Sequence, residues 1–186
     1  TCCFGLSQLR PRFLRAALRE ENAPFFQWPD ESPPSTTVGE SIADLMAMDG
    51  WPGALAWRDR ANRIARTIVG GSKKHGGPDL GPTRAKNQWR ELGVDGLGIA
   101  DLAPGPSFPI DGLPKLTVRM VARLQGFPDD WQFAGRKTAA YRQVGNAFPP
   151  PVAAAVSLSI RKALRREPIA VFRQDARGQL SFVEER

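Results

Sequence analysis

The sequence predicts a mixed α/β chain, and three features of its 186 residues support this fold class. Apolar segments with strand character begin the chain, a middle rich in glycine and proline follows, and an amphipathic helix lies near the C-terminus. The chain is 41% hydrophobic and 24% charged, which is typical of a protein that buries a core. No apolar run approaches the roughly eighteen residues that a membrane-spanning helix needs.

The first third of the chain alternates between short apolar segments and loops. In residues 1–19 the apolar runs "TCCFGL" and "FLRAAL" flank "QLRPR", which predicts a strand, a loop and then a strand or short helix. Residues 21–37 are polar and rich in proline, as in a loop. Thr37 and Glu40 form a capping-box pattern that starts a helix. One face of that helix carries Ile42, Leu45 and Met46.

The middle of the chain predicts a small, loop-rich domain. Residues 49–115 hold most of the glycines, and Ile64–Val69 is predicted to be a short strand that enters a basic, glycine-rich loop. Thr117 is a plausible N-cap for a helix that stops at Gly126–Pro128. At Met120 a glutamate would complete a capping box, so the sequence predicts a weaker helix start, by about 0.5–1 kcal/mol.

The C-terminal part predicts the clearest helix and a hairpin. The helix covers residues 152–166, and its predicted apolar stripe consists of Val152, Val156, Ile160 and Leu164. Basic residues at the end of this helix interact favourably with the helix dipole. The tail predicts two strands around a turn at Asp175–Gly178.

Positive charge is concentrated in one stretch of the chain. The net charge is +7, and Arg58 to Arg90 contains nine basic residues against only Asp59 and Asp79. Such clustering is expected for a surface that meets the phosphate backbone of a nucleic acid, whereas a solvated basic loop is the alternative. The predicted DNA-contacting residues are Lys73, Lys74, His75, Arg84, Lys86 and Arg90.

The cysteine and histidine content argues against disulfides and metal binding. Cys2 and Cys3 are neighbours in sequence, which favours a reducing, cytoplasmic protein. With His75 as the single histidine and no Cys-x-x-Cys pattern, we expect no metal site.

Two short elements carry candidate chemistry. Gln8, Arg10 and Arg12 alternate, so in an extended segment all three point to one side and form a rim that meets an anion or a polar base. A solvated edge is the alternative. Gly145-Asn146 precedes an apolar helix and predicts a tight turn whose N–H groups can meet an anion, and an ordinary turn is the alternative here.

Three segments, taken in order, resemble the last three sequence motifs of DNA (cytosine-5) methyltransferases. They are "FGLSQLRPR", "LTVRMVARLQGFPDDW" and "YRQVGNAFPPPVA". The resemblance implies a remnant of a Rossmann-like methyltransferase sheet, a small, irregular, mostly β target-recognition domain and a C-terminal helix. It implies a chain divided at residues 1–30 (end of the catalytic domain), 31–132 (recognition), 133–166 (Gly-Asn motif and returning helix) and 167–186 (hairpin or tail).

The resemblance also implies a reaction and residue roles. In this family a cytosine is flipped out of double-stranded DNA and receives a methyl group from S-adenosylmethionine. By position, Arg12 would approach the cytosine O2, Arg10 would order the active-site loop and phosphates, and Gln8 would support that loop. The residues that would close part of the methyl-donor pocket are Asn146, Ala147, Phe148 and Phe127.

The family's nucleophile and cofactor motifs are expected elsewhere. No Pro-Cys, no Glu-Asn-Val and no matching cofactor-binding glycine motif occurs here, and Cys2 and Cys3 lie beside the Gln-x-Arg-x-Arg element without a partnering acid or base. We therefore expect the C-terminal portion of an enzyme that is inactive alone, with its catalytic half on the same polypeptide or on a separate subunit. The expected setting is a bacterial restriction-modification system in the cytoplasm, at the nucleoid. A stand-alone DNA-binding module or regulator is the alternative.

Overall fold

The computed structural model describes residues 4–9, 11, 13–30, 36–69, 78–168, 170–174 and 180–184. The chain divides into two compact units, one of residues 1–12 with 31–151 and the other of residues 13–30 with 152–186. The elements are β1 (Gln8–Leu9), α1 (Val38–Ala47), α2 (Ala54–Arg60), β2 (Ala65–Arg66), α3 (Thr83–Glu91), α4 (Val118–Leu124), α5 (Lys137–Asn146), α6 (Pro150–Leu164), β3 (Ala170–Gln174) and β4 (Leu180–Glu184), with a 3₁₀ turn at Ala23–Phe25.

A small parallel sheet joins the start of the chain to the basic region. β1 pairs with β2, with Gln8 opposite Ala65 and Leu9 opposite Arg66. The Thr67 hydroxyl donates to the carbonyl oxygen of Leu9 at 2.7 Å and extends the pairing. The predicted strand within Ile64–Val69 is thus confirmed, and the chain is mixed α/β.

The helix α1 begins as its sequence predicts. The Thr37 hydroxyl accepts the N–H of Glu40 at 3.2 Å, while the Glu40 carboxylate accepts the N–H of Thr37 at 2.8 Å, and these bonds lower the pKa of Glu40. The predicted apolar face of α1 is buried. At Gly39 the helix lies so close to α2 that any Cβ would overlap the carbonyl oxygen of Arg58.

The start of α4 confirms Thr117 as its N-cap and gives Met120 a weak capping contact. The Thr117 hydroxyl accepts the N–H of Met120 at 3.2 Å, and the Met120 sulfur accepts the N–H of Thr117 at 3.4 Å. The thioether, a weak acceptor, thus stands in for the glutamate of a capping box. Met120 is also fully buried, so its side chain stabilises the hydrophobic core in addition to its weak bond at the helix start.

Arg123 links α4 to α1. Its guanidinium donates to both carboxylate oxygens of Asp129 and to the carboxylate of Asp44 on α1. Hydrogen bonds from Arg123 hold the pKa of Asp44 and of Asp129 below the usual range. The link positions the loop after α4 against α1.

Three secondary-structure expectations for residues 1–132 are wrong. The described residues 4–6 of the first apolar run form no strand, and β1 lies instead in the predicted loop. Residues 13–19 form neither strand nor helix, and Phe13 is fully exposed, because the described chain pairs no strand with this short segment. In the described part of residues 31–132 the named elements are four helices and one strand, β2, so this part is not mostly β. Its short apolar runs form helix faces instead, as the burial of Trp57 on α2 and Trp89 on α3 shows.

The predicted C-terminal helix and the two predicted C-terminal strands are confirmed, with a different helix start. The predicted helix is α6, which begins earlier, at Pro150, because prolines fit a first helical turn. Its predicted stripe is buried at Val152 but not at Leu164, which is 59% exposed. β3 and β4 pair antiparallel, as predicted, and the expected turn at Asp175–Gly178 lies outside the described residues. No described helix has the length and apolarity to cross a membrane.

Candidate functional site

Two buried glutamines bring the three sequence motifs together. Gln8 on β1 donates through Nε2 to Oε1 of Gln125 at 2.6 Å and to the carbonyl oxygen of Leu124 at 3.2 Å. Gln125, at the end of α4, donates through its own Nε2 to the carbonyl oxygen of Val144 on α5 at 3.1 Å. Both glutamines are fully buried. One continuous set of hydrogen bonds, the glutamine network, therefore connects all three motifs.

The glutamine network also reaches the segment after β2. This segment leads into the predicted glycine-rich basic loop, residues 70–78, called the basic loop below. Oε1 of Gln8 accepts the N–H of Ile68 at 3.3 Å. Buried amides are costly unless they are hydrogen-bonded, so each bond constrains the relative positions of its elements. The arrangement can hold the β1 end, α4, α5 and the base of the basic loop in one fixed geometry.

The position of Gln8 corrects part of the predicted rim. Gln8 does not line a solvent-facing edge: its side chain points into the protein and bonds to Gln125, because a buried acceptor was available there. Arg10 and Arg12, the other two residues of the rim, lie outside the described residues.

The Gly-Asn element ends a helix rather than forming a tight turn. Gly145 and Asn146 are the last two residues of α5, and the helix cap is Ala147, whose N–H bonds back to Gln143 at 3.0 Å. The helix continues through Asn146 and ends where the backbone of Ala147 becomes extended (φ −60°, ψ 149°), because Pro149 disfavours helical backbone in the residue before it. Asn146 is exposed, whereas Ala147 and Phe148 are half-buried.

Phe127 lies in an aromatic cluster that packs against the hydrophobic core. Its ring centroid is 5.1 Å from that of Phe133 and 5.6 Å from that of Trp131. Both ring contacts are with residues that follow Phe127 in sequence. The structure thus gives Phe127 a packing role, and its predicted part in the cofactor pocket stays a prediction.

The basic residues of α3 differ in exposure and pairing. Arg84 and Arg90 have exposed side chains. Lys86 instead forms an ion pair with Asp79, with 2.6 Å between Nζ and Oδ2. Lys73, Lys74 and His75 lie outside the described residues.

Sequence reasoning missed two residues that organise this region. Gln125 is buried in the glutamine network, and Tyr141 on α5 donates its hydroxyl to two main-chain carbonyls. Both stand in quoted motifs, "LQGFP" and "YRQVGN", but their partners are distant in sequence. A polar side chain amid apolar neighbours was the only local signal.

Comparison with known proteins identifies the family. A profile of the C-5 cytosine-specific DNA methylases matches residues 1–162. The chain is 59% identical over 165 residues to the Type II methyltransferase M.NaeI of Lentzea aerocolonigenes, covering 88% of this chain and 40% of that protein. It is 48% identical over 167 residues to M.NgoMIV of Neisseria gonorrhoeae, covering 88% of this chain and 52% of that protein.

A similarity to a plant enzyme covers less of the chain. The DNA (cytosine-5)-methyltransferase 1B of Oryza sativa subsp. japonica is 40% identical over 96 residues, which is 45% of this chain and 6% of that protein. The chain spans about half or less of the length of the curated relatives it matches. The resemblance read from the three motifs is confirmed, and the chain belongs to the C-5 cytosine-specific DNA methylase family.

Proposed function

We propose that this chain is the DNA-recognising, C-terminal portion of a cytosine-C5 methyltransferase that moves a methyl group from S-adenosylmethionine to a flipped-out cytosine. The observation that carries the proposal is the glutamine network, in which buried side chains unite the three motifs that the family match covers. A protein that used these motifs separately would not need to hold them together with buried amides. The Type II methyltransferases among the relatives favour a bacterial restriction-modification setting.

The proposed roles follow the positions that match the family's motifs. Arg12 approaches the O2 of the flipped cytosine, and Arg10 orders the active-site loop and meets DNA phosphates. Gln8 supports that loop indirectly. Its buried bonds to Gln125 and to the N–H of Ile68 fix β1, and the two arginines come directly after β1 in sequence. A buried glutamine is suited to this role because it both donates and accepts.

The junction between α5 and α6 fits one wall of a methyl-donor pocket. Asn146 offers an exposed amide, and the adjoining Phe148 is half-buried, so a polar ligand edge and an apolar surface lie side by side. S-adenosylmethionine, when bound, supplies an electrophilic methyl group. Asn146, Ala147 and Phe148 would contact it and limit the access of water, whereas Phe127 acts through packing or at the edge of the pocket.

The nucleophile and the group that holds the cytosine N3 are proposed to come from another portion of the enzyme. This chain contains no Pro-Cys and no Glu-Asn-Val sequence. A covalent attack on cytosine C6 needs an activated thiolate with a neighbouring acid or base. We therefore propose that the chain transfers no methyl group by itself and that its catalytic partner is on the same polypeptide or on a second subunit.

The basic region is proposed to bind the DNA backbone. Lys73, Lys74 and His75 in the loop, with the exposed Arg84 and Arg90, would meet phosphates or groove edges. Lys86 remains a candidate, but its ion pair with Asp79 makes it a support for the loop first.

The salt dependence of DNA binding tests this interface. Changing both Lys73 and Lys74 to alanine removes two phosphate contacts, so the slope of log affinity against log salt should fall by about 1.8. Duplex binding measured over a series of NaCl concentrations gives the slope. The matched control replaces Arg161 and Lys162, basic exposed residues of α6, and should leave the slope unchanged. An unchanged slope in the loop variant, or an equal loss in the control, would place the interface elsewhere.

A further inference from the structure

Tyr141 contacts both ends of the segment that carries the basic loop. Its hydroxyl lies 2.8 Å from the carbonyl oxygen of Val69 and 2.7 Å from that of Asp79. The two carbonyl oxygens therefore lie within two hydrogen-bond lengths of each other, although nine residues separate Val69 from Asp79 in sequence. One side chain thus closes the base of this loop.

The Asp79 end of the loop is held by further bonds. Its carboxylate accepts the N–H of Gly81 at 3.1 Å and pairs with Lys86 at 2.6 Å. Gly81 has a φ of +110°, and a Cβ placed there would be 2.9 Å from a methyl carbon of Val69, so the two ends also pack against each other. The base of the loop is consequently a built junction.

The hydroxyl of Tyr141 is suited to this junction only in its protonated form. Tyr141 is fully buried, and burial together with the nearby Asp79 carboxylate raises its pKa. A phenolate would repel both carbonyl oxygens, whereas the neutral hydroxyl donates its one proton to them. Tyr141 stands on α5, the helix that ends in the Gly-Asn element and accepts the Gln125 bond.

We propose that Tyr141 is a positioning residue for DNA recognition, whose hydroxyl holds the two ends of the basic loop so that Lys73 and Lys74 meet the DNA backbone. The inference rests on the proposed function, because it takes this loop as a DNA contact. It assigns Tyr141 no contact with the DNA itself.

A double-mutant comparison tests the inference. Tyr141→Phe keeps the ring and removes only the hydroxyl, and we expect it to weaken duplex binding about fivefold, the effect of one lost hydrogen bond. The K73A/K74A change should lower the salt slope by about 1.8 in the parent chain and by less than half of that in the Tyr141→Phe background. The same slope change in both backgrounds would overturn the inference and leave the proposed function standing.

A control separates positioning from a general loss of stability. Ile42→Val removes one methyl group from the fully buried face of α1. It should cost about as much stability as the lost hydrogen bond. In that background K73A/K74A should still lower the slope by about 1.8. If Ile42→Val weakens the lysine effect as strongly as Tyr141→Phe does, Tyr141 acts through stability alone and the inference is wrong.

Two measurements keep the inference testable if the parent chain binds no duplex or Tyr141→Phe does not fold. Trypsin cleavage after Lys73 and Lys74 needs no DNA, and it should be about fivefold faster in Tyr141→Phe than in Ile42→Val; equal rates would contradict the inference.

Tyr141 is the only tyrosine, so 3-fluorotyrosine labels it alone in the otherwise unchanged chain. Its ¹⁹F resonance should shift on adding duplex, and K73A/K74A should abolish that shift. Duplex binding without a shift would overturn the inference.

Discussion

Replacing Gln125 with leucine is expected to destabilise the chain by about 1–3 kcal/mol. The change removes two buried hydrogen bonds, one from Gln125 to the Val144 carbonyl and one from Gln8 Nε2 to Gln125. Gln8 Nε2 keeps its bond to the Leu124 carbonyl and the Val144 carbonyl keeps the Ala147 N–H, so neither group is left without a partner. Each lost hydrogen bond then costs about 0.5–1.5 kcal/mol. Urea denaturation followed by tryptophan fluorescence gives the free energy of unfolding.

Gln132→Leu is the matched control for this change. Gln132 is exposed, and its Nε2 bonds to the Asp130 carbonyl at 3.1 Å in contact with solvent. Water can replace that bond, so we expect a change within about 0.5 kcal/mol. Equal losses in the two variants would mean that the glutamine network does not stabilise the assembly of the three motifs.

Gly126→Ala is expected to have a similarly large effect, about 2–4 kcal/mol. Gly126 follows α4 with a φ of +81°, a left-handed conformation that disfavours any side chain. A Cβ there would also stand 2.7 Å from Pro151 and 2.8 Å from a methyl carbon of Leu6. The segment before β1, the end of α4 and the start of α6 meet at this glycine, so a methyl group must displace one of them. Thermal or urea unfolding measures the loss.

Gly105→Ala provides the comparison for that change. The nearest atom to a Cβ at Gly105 is the Asp49 carbonyl oxygen at 3.8 Å, an ordinary contact. We therefore expect a neutral or slightly stabilising change there, because alanine restricts the unfolded chain. A loss at Gly126 no larger than that at Gly105 would show that the motifs do not converge on this position.

The sequence was sufficient where the controlling contacts are local. The capping box of Thr37 and Glu40 spans three residues, and its pattern specifies the bonds that start α1. By contrast, α3 was not predicted because "TRAKNQWRE" buries only Trp89, and a single apolar residue gives no helical period. The helix forms because that one indole packs into a core assembled by other segments.

The site was predictable as a set of motifs but not as a geometry. Alternation on β1 places Gln8 on one face but does not tell which face is covered, and its partner Gln125 lies 117 residues away. Tyr141 likewise meets carbonyls 72 and 62 residues away. Main-chain acceptors carry no sequence signature, so side chains that bond to them at long range are found only when the fold is known.

Methyl transfer to duplex DNA from labelled S-adenosylmethionine tests the central claim most directly. The chain is assayed alone and with a supplied N-terminal portion from the same source that carries Pro-Cys and Glu-Asn-Val sequences. We expect transfer only in the mixture, and its loss when Arg12 is replaced by alanine. Transfer by the chain alone would mean that it holds its own nucleophile. No transfer in the mixture, with salt-dependent DNA binding retained, would contradict the enzyme assignment and favour a DNA-binding module.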